Sequence, residues 1–182
     1  MVIRFPSFRI TSRRSVASIF GQMVEVRRAG DEIAIEGDSP VWSTTEQVLY
    51  WVDVEGRKVH RYEPATNATS TRQLRGRPGA LGLSRFPGRL LIAQEFQLLW
   101  LDWETGQEML FADIEDPATG NRLAGGRTDP AGRFVVGSMH PDQTANRRDG
   151  FTYLVEGYGE AQTLESGVGL PTGLAFCLLY TS

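Results

Sequence analysis

The chain has 182 residues, with 19 basic and 22 acidic side chains, 20 glycines, 9 prolines and a single cysteine. That length allows one domain with a real core, and a composition 41% hydrophobic and 23% charged is that of a globular chain. One cysteine excludes an intrachain disulfide, no apolar run is long enough for a spanning helix, and a net charge of −3 speaks against a nucleic-acid binder.

Residues 1–22 carry four arginines and no acid, leaving 15 basic against 22 acidic groups in the remainder. This opening is expected to be an extension, either a targeting segment or translation from an upstream start, with the folded part beginning at Met23. Beyond it the apolar residues alternate or fall in short β-rich runs, which predict strands over 24–27, 48–54, 58–62, 72–74, 80–83 and 89–93. Further strands are predicted over 98–102, 108–111, 134–138, 151–155, 162–164 and 173–176. Turn clusters separate them, as at Glu55-Gly56, Phe86-Pro87-Gly88 and Glu104-Thr105-Gly106. No stretch has a convincing amphipathic helical period, and 113–119 reads as an acidic loop in which Glu115 and Asp116 are solvated. The fold class is all-β.

The strands repeat. VLYWVDV, RLLIAQE and RFVVGSM begin at Val48, Arg89 and Arg133, spacings of 41 and 44 residues. Each is followed by a turn, an aromatic strand and an outer strand, and each is preceded by a small-residue strand, at Asp38, Pro78 and Asn121. A four-strand unit every 40 to 45 residues is the pattern of a β-propeller blade, the small-residue strand lying innermost where only narrow side chains fit. Glycines 79, 82, 125, 126 and 173 suit that crowding, and Trp42, Trp51, Trp100 and Trp103 are expected in the core between blades.

Several stretches in sequence order resemble the SMP-30/gluconolactonase/regucalcin-like family. They are DSPVW from Asp38, LYWVDVEGRKVHRY from Leu49, GALGLSRFPGRLLIA from Gly79, WLDWETG from Trp100, NRLAGGRTDPAGRFVVGSM from Asn121 and LPTGLAF from Leu170. The resemblance covers about residues 24–176. It implies a six-bladed β-propeller, of which this chain would hold about three blades plus one strand. It also implies a divalent metal in the central channel (calcium first, zinc or manganese as alternatives) and hydrolysis of sugar lactones. On this view residues 23–176 are a partial propeller needing a missing C-terminal half to close the ring, and 177–182, with Cys177, are a non-native tail. The parent is expected to be cytoplasmic, with a small sugar lactone as partner and no nucleic-acid or membrane partner.

The resemblance also implies site residues, with departures. Asp38 stands where the family has a metal-binding glutamate, one methylene longer, and Glu36 is out of register. Thr172 stands where the family has a metal-binding asparagine. Arg122 retains a substrate contact, whereas Ala124 and Gly125 replace two polar residues, so Ala124 occupies a substrate-binding position without the side chain. The catalytic base, an aspartate, would lie beyond residue 182. Each residue also has a structural reading: Asp38 as a turn-capping carboxylate, Thr172 as a plain inner-strand residue, Arg122 as a member of an ion pair. His60 reads as structural and His140 as a solvated loop residue. Two functional alternatives accompany the lactonase: a non-catalytic propeller that binds a ligand or a protein, and a truncated member without activity. No nucleophile elbow, phosphate loop or dinucleotide fingerprint is present.

Overall fold

The computed structural model describes residues 15–19, 22–26, 28–142 and 147–176. The tail expected over 177–182 and most of the opening extension lie outside the described residues. Strands β1 (Ser15–Ile19) and β2 (Gln22–Val26) pair as an antiparallel hairpin. Three four-stranded antiparallel sheets follow, each built in simple chain order. The first holds β3 (Gly37–Ser43), β4 (Val48–Asp53), β5 (Lys58–Glu63) and β6 (Ala68–Gln73). The second holds β7 (Pro78–Leu83), β8 (Arg89–Gln94), β9 (Gln97–Asp102) and β10 (Glu108–Asp113). The third holds β11 (Arg122–Thr128), β12 (Phe134–Met139), β13 (Gly150–Val155) and β14 (Ala161–Val168). These are three propeller blades.

Strand alternation explains how the blades stack. On β8, Leu90 and Ile92 point toward the first blade, where they join Val48, Tyr50, Val52 and Val59. The intervening Leu91 and Ala93 point the other way and join Leu123, Phe134 and Val136 of the third blade. The middle blade is therefore apolar on both faces, which is why RLLIAQ reads as a continuous run rather than an alternation. Each fully buried leucine or isoleucine here contributes about 2 kcal/mol by leaving water.

The innermost strands are packed backbone to backbone. A β-carbon on Gly79 would overlap the Leu123 carbonyl oxygen and come within 2.9 Å of the Ala124 α-carbon. Three residues on, one on Gly82 would lie 3.0 Å from Thr128 Oγ1, so β7 and β11 run side by side in the same direction. Each inner strand also carries a register shift near its start: between Asp38 and Val41, between Pro78 and Ala80, and between Ala124 and Gly126. Such bulges bend a strand and re-aim its side chains.

Four sequence expectations are corrected. No strand forms over 173–176; a strand needs a hydrogen-bonding neighbour, and among the described residues none lies alongside this segment. The outer strand of the first blade occupies Ala68–Gln73 rather than 72–74, because its polar, half-exposed ATSTRQ is held by pairing with β5 and not by burial. Trp42 is 42% exposed, since it lies on the opposite side of β3 from the half-buried Val41, which packs on the inter-blade core. Trp103, by contrast, is buried, edge-on to Tyr50 at 5.6 Å. Finally, Glu115 is 4% exposed rather than solvated, and both its carboxylate oxygens accept hydrogen bonds, from Tyr153 Oη at 3.0 Å and from Thr119 Oγ1 at 3.3 Å. Asp116 caps the 3-10 turn Pro117–Thr119 by accepting from the Ala118 amide.

Candidate functional site

The bulge at the start of β3 sets Asp38 in place. Ser39 adopts a left-handed backbone, φ 48°, a conformation that costs a non-glycine residue about 1–2 kcal/mol, and its amide donates to Asp38 Oδ1 at 2.5 Å. The segment before it is anchored by Asp53, whose carboxylate accepts from the amides of Ile35 (2.8 Å), Glu36 (3.0 Å) and Gly56 (3.0 Å). Burial opposes ionisation of Asp53, but these three donors prevail and hold its pKa below the usual carboxylate value. The Glu36 backbone is tied to the same place, its amide donating to Asp53 and its carbonyl accepting from the Val54 amide.

The bulge in β11 forms the opposite wall. Gly125 is its extra residue, with φ 60°, and Pro171 crosses so close that a β-carbon on Gly125 would overlap the Pro171 carbonyl oxygen. The Pro171 ring also fills the space above Gly137, where a β-carbon would collide with its Cβ and Cγ. Two glycines on adjacent strands thus make a socket for one buried proline, and the next residue, Thr172, is delivered to the same place.

Asp38, Ser39 and Pro40 from the first blade, Gly125, Gly126 and Arg127 from the third, and Thr172, Gly173 and Leu174 line one cavity of about 160 Å³. Asp38 and Thr172, 134 residues apart in sequence, therefore line the same cavity. Arg122 and Ala124 do not line it. Arg122 opens β11, its Nη1 donates to the Leu123 carbonyl at 3.3 Å, and burial together with the nearby Arg77 lowers its guanidinium pKa against the pull of Glu36, Glu95 and Glu55. Ala124 is buried with its backbone against Gly79. Sequence reasoning missed Ser39, Arg127 and Pro171; Arg127 stands two positions past Gly125 in an already suspect segment, while nothing local to Pro171 announces its socket.

His60 is fully buried, stacked on Trp51 at 4.9 Å, with Nδ1 2.9 Å from Thr71 Oγ1. It supports the sheet, away from the cavity. His140 lies beside Arg147 and accepts from the Asp142 amide at 3.1 Å.

Among the described residues no three His, Cys, Asp or Glu side chains cluster as a metal site. The lining residues that carry side-chain oxygen, Asp38, Ser39 and Thr172, offer only hard donors. In kind they fit calcium, magnesium or manganese better than zinc, and they supply part of a shell of six or more.

Three four-stranded blades with bulged, glycine-rich inner strands define a β-propeller, with the cavity beside those inner strands. The profile of the SMP-30/Gluconolactonase/LRE-like region matches residues 36–177, and the chain belongs to that family. It is 34% identical over 143 residues to a 6-deoxy-6-sulfogluconolactonase of Pseudomonas putida, covering 79% of this chain and 48% of that protein. It is 33% identical over 151 residues to the pentonolactonase XacC of Haloferax volcanii, covering 83% and 49%. Among solved structures, a calcium-binding regucalcin from Agrobacterium tumefaciens superposes with a TM-score of 0.66 at 26% identity, over 74% of this chain and 44% of that one. A luciferin-regenerating enzyme superposes at 0.70 and 23% identity, over 75% and 47%, a likeness of fold. The chain spans about half the length of the curated relatives it matches. Among the described residues no helix is long and apolar enough to cross a membrane.

Proposed function

We propose that this chain belongs to a metal-dependent sugar-lactone hydrolase and supplies one side of its site. The observation that carries the reading is the convergence of Asp38 and Thr172 on one cavity, from segments that share no strand pairing. The lactonase names of two relatives support it, as does the calcium-binding description of the regucalcin neighbour. Asp38 and Thr172 would hold a divalent cation, calcium by preference. When bound, such an ion polarises a lactone carbonyl and lowers the pKa of a water molecule.

The chain's own groups do the positioning. Asp38 keeps one carboxylate oxygen on the Ser39 amide, which fixes the direction of the other. The Pro171 socket fixes Thr172. Arg122 and Ala124 stand outside the lining of this cavity, so their assignment, Arg122 to a hydroxyl or carboxylate and Ala124 to an apolar wall, rests on the family resemblance and requires a substrate that extends past the cavity along β11. A cytoplasmic location accords with a small-molecule substrate.

A second reading, binding without turnover, has its own observation: Asp38 is the sole acidic residue lining the cavity among the described residues, and on the first reading it would hold the metal, which leaves no carboxylate there to act as base. The assay that separates the two follows opening of glucono-δ-lactone by proton release, with and without chelator. Chelator-sensitive opening that is restored by calcium supports hydrolysis; opening indifferent to chelator, or none from folded protein, overturns it.

A further inference from the structure

A second polar surface adjoins the cavity. The starts of β3 and β7 lie beside the β4–β5 and β8–β9 turns, since Gly37 pairs with Asp53 and Pro78 with Gln94. The start of β11 joins them, the Leu123 amide donating to the Glu95 carbonyl. Five charged residues gather there: Glu36 and Glu55 from the first blade, Arg77 and Glu95 from the second, Arg122 from the third. The first four lie near enough for their charges to act on the Arg122 guanidinium. None of the five lines the cavity.

Arg77 is the centre of this group. Its amide donates to Glu95 Oε1 at 2.8 Å, which fixes that carboxylate. Its guanidinium is held more loosely, with Nε 3.5 Å from Glu95 Oε1 and Nη1 3.8 Å from Glu55 Oε1, both wider than the range of about 2.7–3.2 Å for a well-made hydrogen bond. The side chains of Arg77, Glu95 and Glu55 are 33%, 35% and 50% exposed, so these donors and acceptors are open to a ligand. Glu95 is pinned in place, with a left-handed backbone (φ 51°) and its own amide donating to the Arg77 carbonyl.

The mixture of charges selects the kind of ligand. An anion would meet three carboxylates and a cation two guanidinium groups. A neutral hydroxyl suits both, because it donates to a carboxylate and accepts from a guanidinium at once. Adjacent hydroxyls are what a sugar offers. Arg122 stands three residues before Gly125 of the cavity wall, about 10 Å along a strand and longer than one sugar ring. A lactone ring seated beside Asp38 and Thr172 leaves this surface to whatever the ring carries.

We infer that Glu55, Arg77 and Glu95 form a second sugar subsite, so that the preferred lactones are those bearing a further neutral sugar unit. The inference rests on the lactone reading of the cavity. It places on the neighbouring blades the polar contacts that Ala124 and Gly125 do not supply.

Binding of stable ring-opened acids tests this without turnover. Calorimetry in calcium compares gluconate with lactobionate, the same acid bearing a neutral galactose, on the wild-type chain, Glu55→Gln, Arg77→Gln and Glu95→Gln. Wild type is expected to bind lactobionate about tenfold tighter, the gain from one hydrogen bond to a charged group. That ratio falls toward one in each variant because lactobionate binding weakens. Glu55 occupies an exposed turn, so Glu55→Gln reads the subsite even where loss of the Arg77–Glu95 contact lowers stability. Equal binding of the two acids by wild type, or a preference kept by the folded variants, overturns the inference alone. So does an equal weakening of both acids, which would reduce the group to a structural clasp. Binding of neither acid overturns the lactone reading together with it.

Discussion

The carbonyl of Pro171 rests directly on Gly125, and the Pro171 ring rests on Gly137. This one contact ties the segment after the third blade to β11 and β12 and presents Thr172 to the cavity, although no strand pairing reaches it. Gly125 satisfies two demands together: a left-handed backbone and the absence of any side chain.

Gly125→Ala is therefore expected to destabilise the chain by about 3 kcal/mol, combining left-handed strain with overlap at Pro171. Gly125→Asp, which puts a polar side chain back where the resemblance implies one, should cost at least as much rather than rebuild a pocket. Urea denaturation of both variants measures this. A stable Gly125→Asp protein would show that the socket opens readily.

Asp38 is predicted to make folding stability calcium-dependent. At a calcium concentration ten times Kd the bound ion adds about 1.4 kcal/mol, a shift of a few degrees in Tm. Asp38→Asn should abolish most of that shift, and Asp38→Glu, longer by a methylene, should strengthen it. A Tm equally responsive to calcium in Asp38→Asn would remove Asp38 from the metal site.

His60 predicts a distinct acid sensitivity. Desolvation outweighs the attraction of Glu32, 4.0 Å away, and of Asp53, while Lys58 adds repulsion, so the folded pKa lies below the ordinary value. A base with a depressed folded pKa binds its proton better when unfolded. Its stabilisation is complete above about pH 6.5 and is lost as pH falls below that value toward the folded pKa. Urea midpoints should be flat above this point and decline below it, well before the depressed carboxylates Asp53 and Asp129 titrate. His60→Gln should flatten the decline; an unchanged slope would place the titration elsewhere.

Tyr153→Phe removes the phenol that donates to buried Glu115, leaving a carboxylate oxygen unpaired. The expected cost is about 1–3 kcal/mol. The double variant with Glu115→Gln should recover part of it, and the coupling between the two sites is read from a mutant cycle in urea. Strict additivity would mean that solvent already serves Glu115.

The blades were legible because their signals are local: small residues on the inner strand, a continuous apolar run on the second, a turn at each junction. Asp38 and Thr172 were linked in the sequence only through resemblance, since a strand-initial aspartate and a threonine 134 residues later have no shared pattern. Glu115 was misjudged because its donor Tyr153 lies 38 residues ahead, and a sequence window shows only its acidic neighbours. Residues 173–176 have strand-like composition, but strand formation depends on a partner that composition does not report. Trp42 failed for a related reason: which side of β3 becomes interior depends on which blade lies beside it.

The parallel alignment of β7 and β11 has a consequence for how such a cavity changes over time. Equivalent positions of neighbouring blades stand at one height along the axis, as Gly79 beside Leu123 and Gly82 beside Thr128. A donor lost from one blade can be supplied at that height by the next, with every ladder left in register. Pocket chemistry can thus migrate around the axis by point substitution, while the β-sheet scaffold records nothing of the exchange.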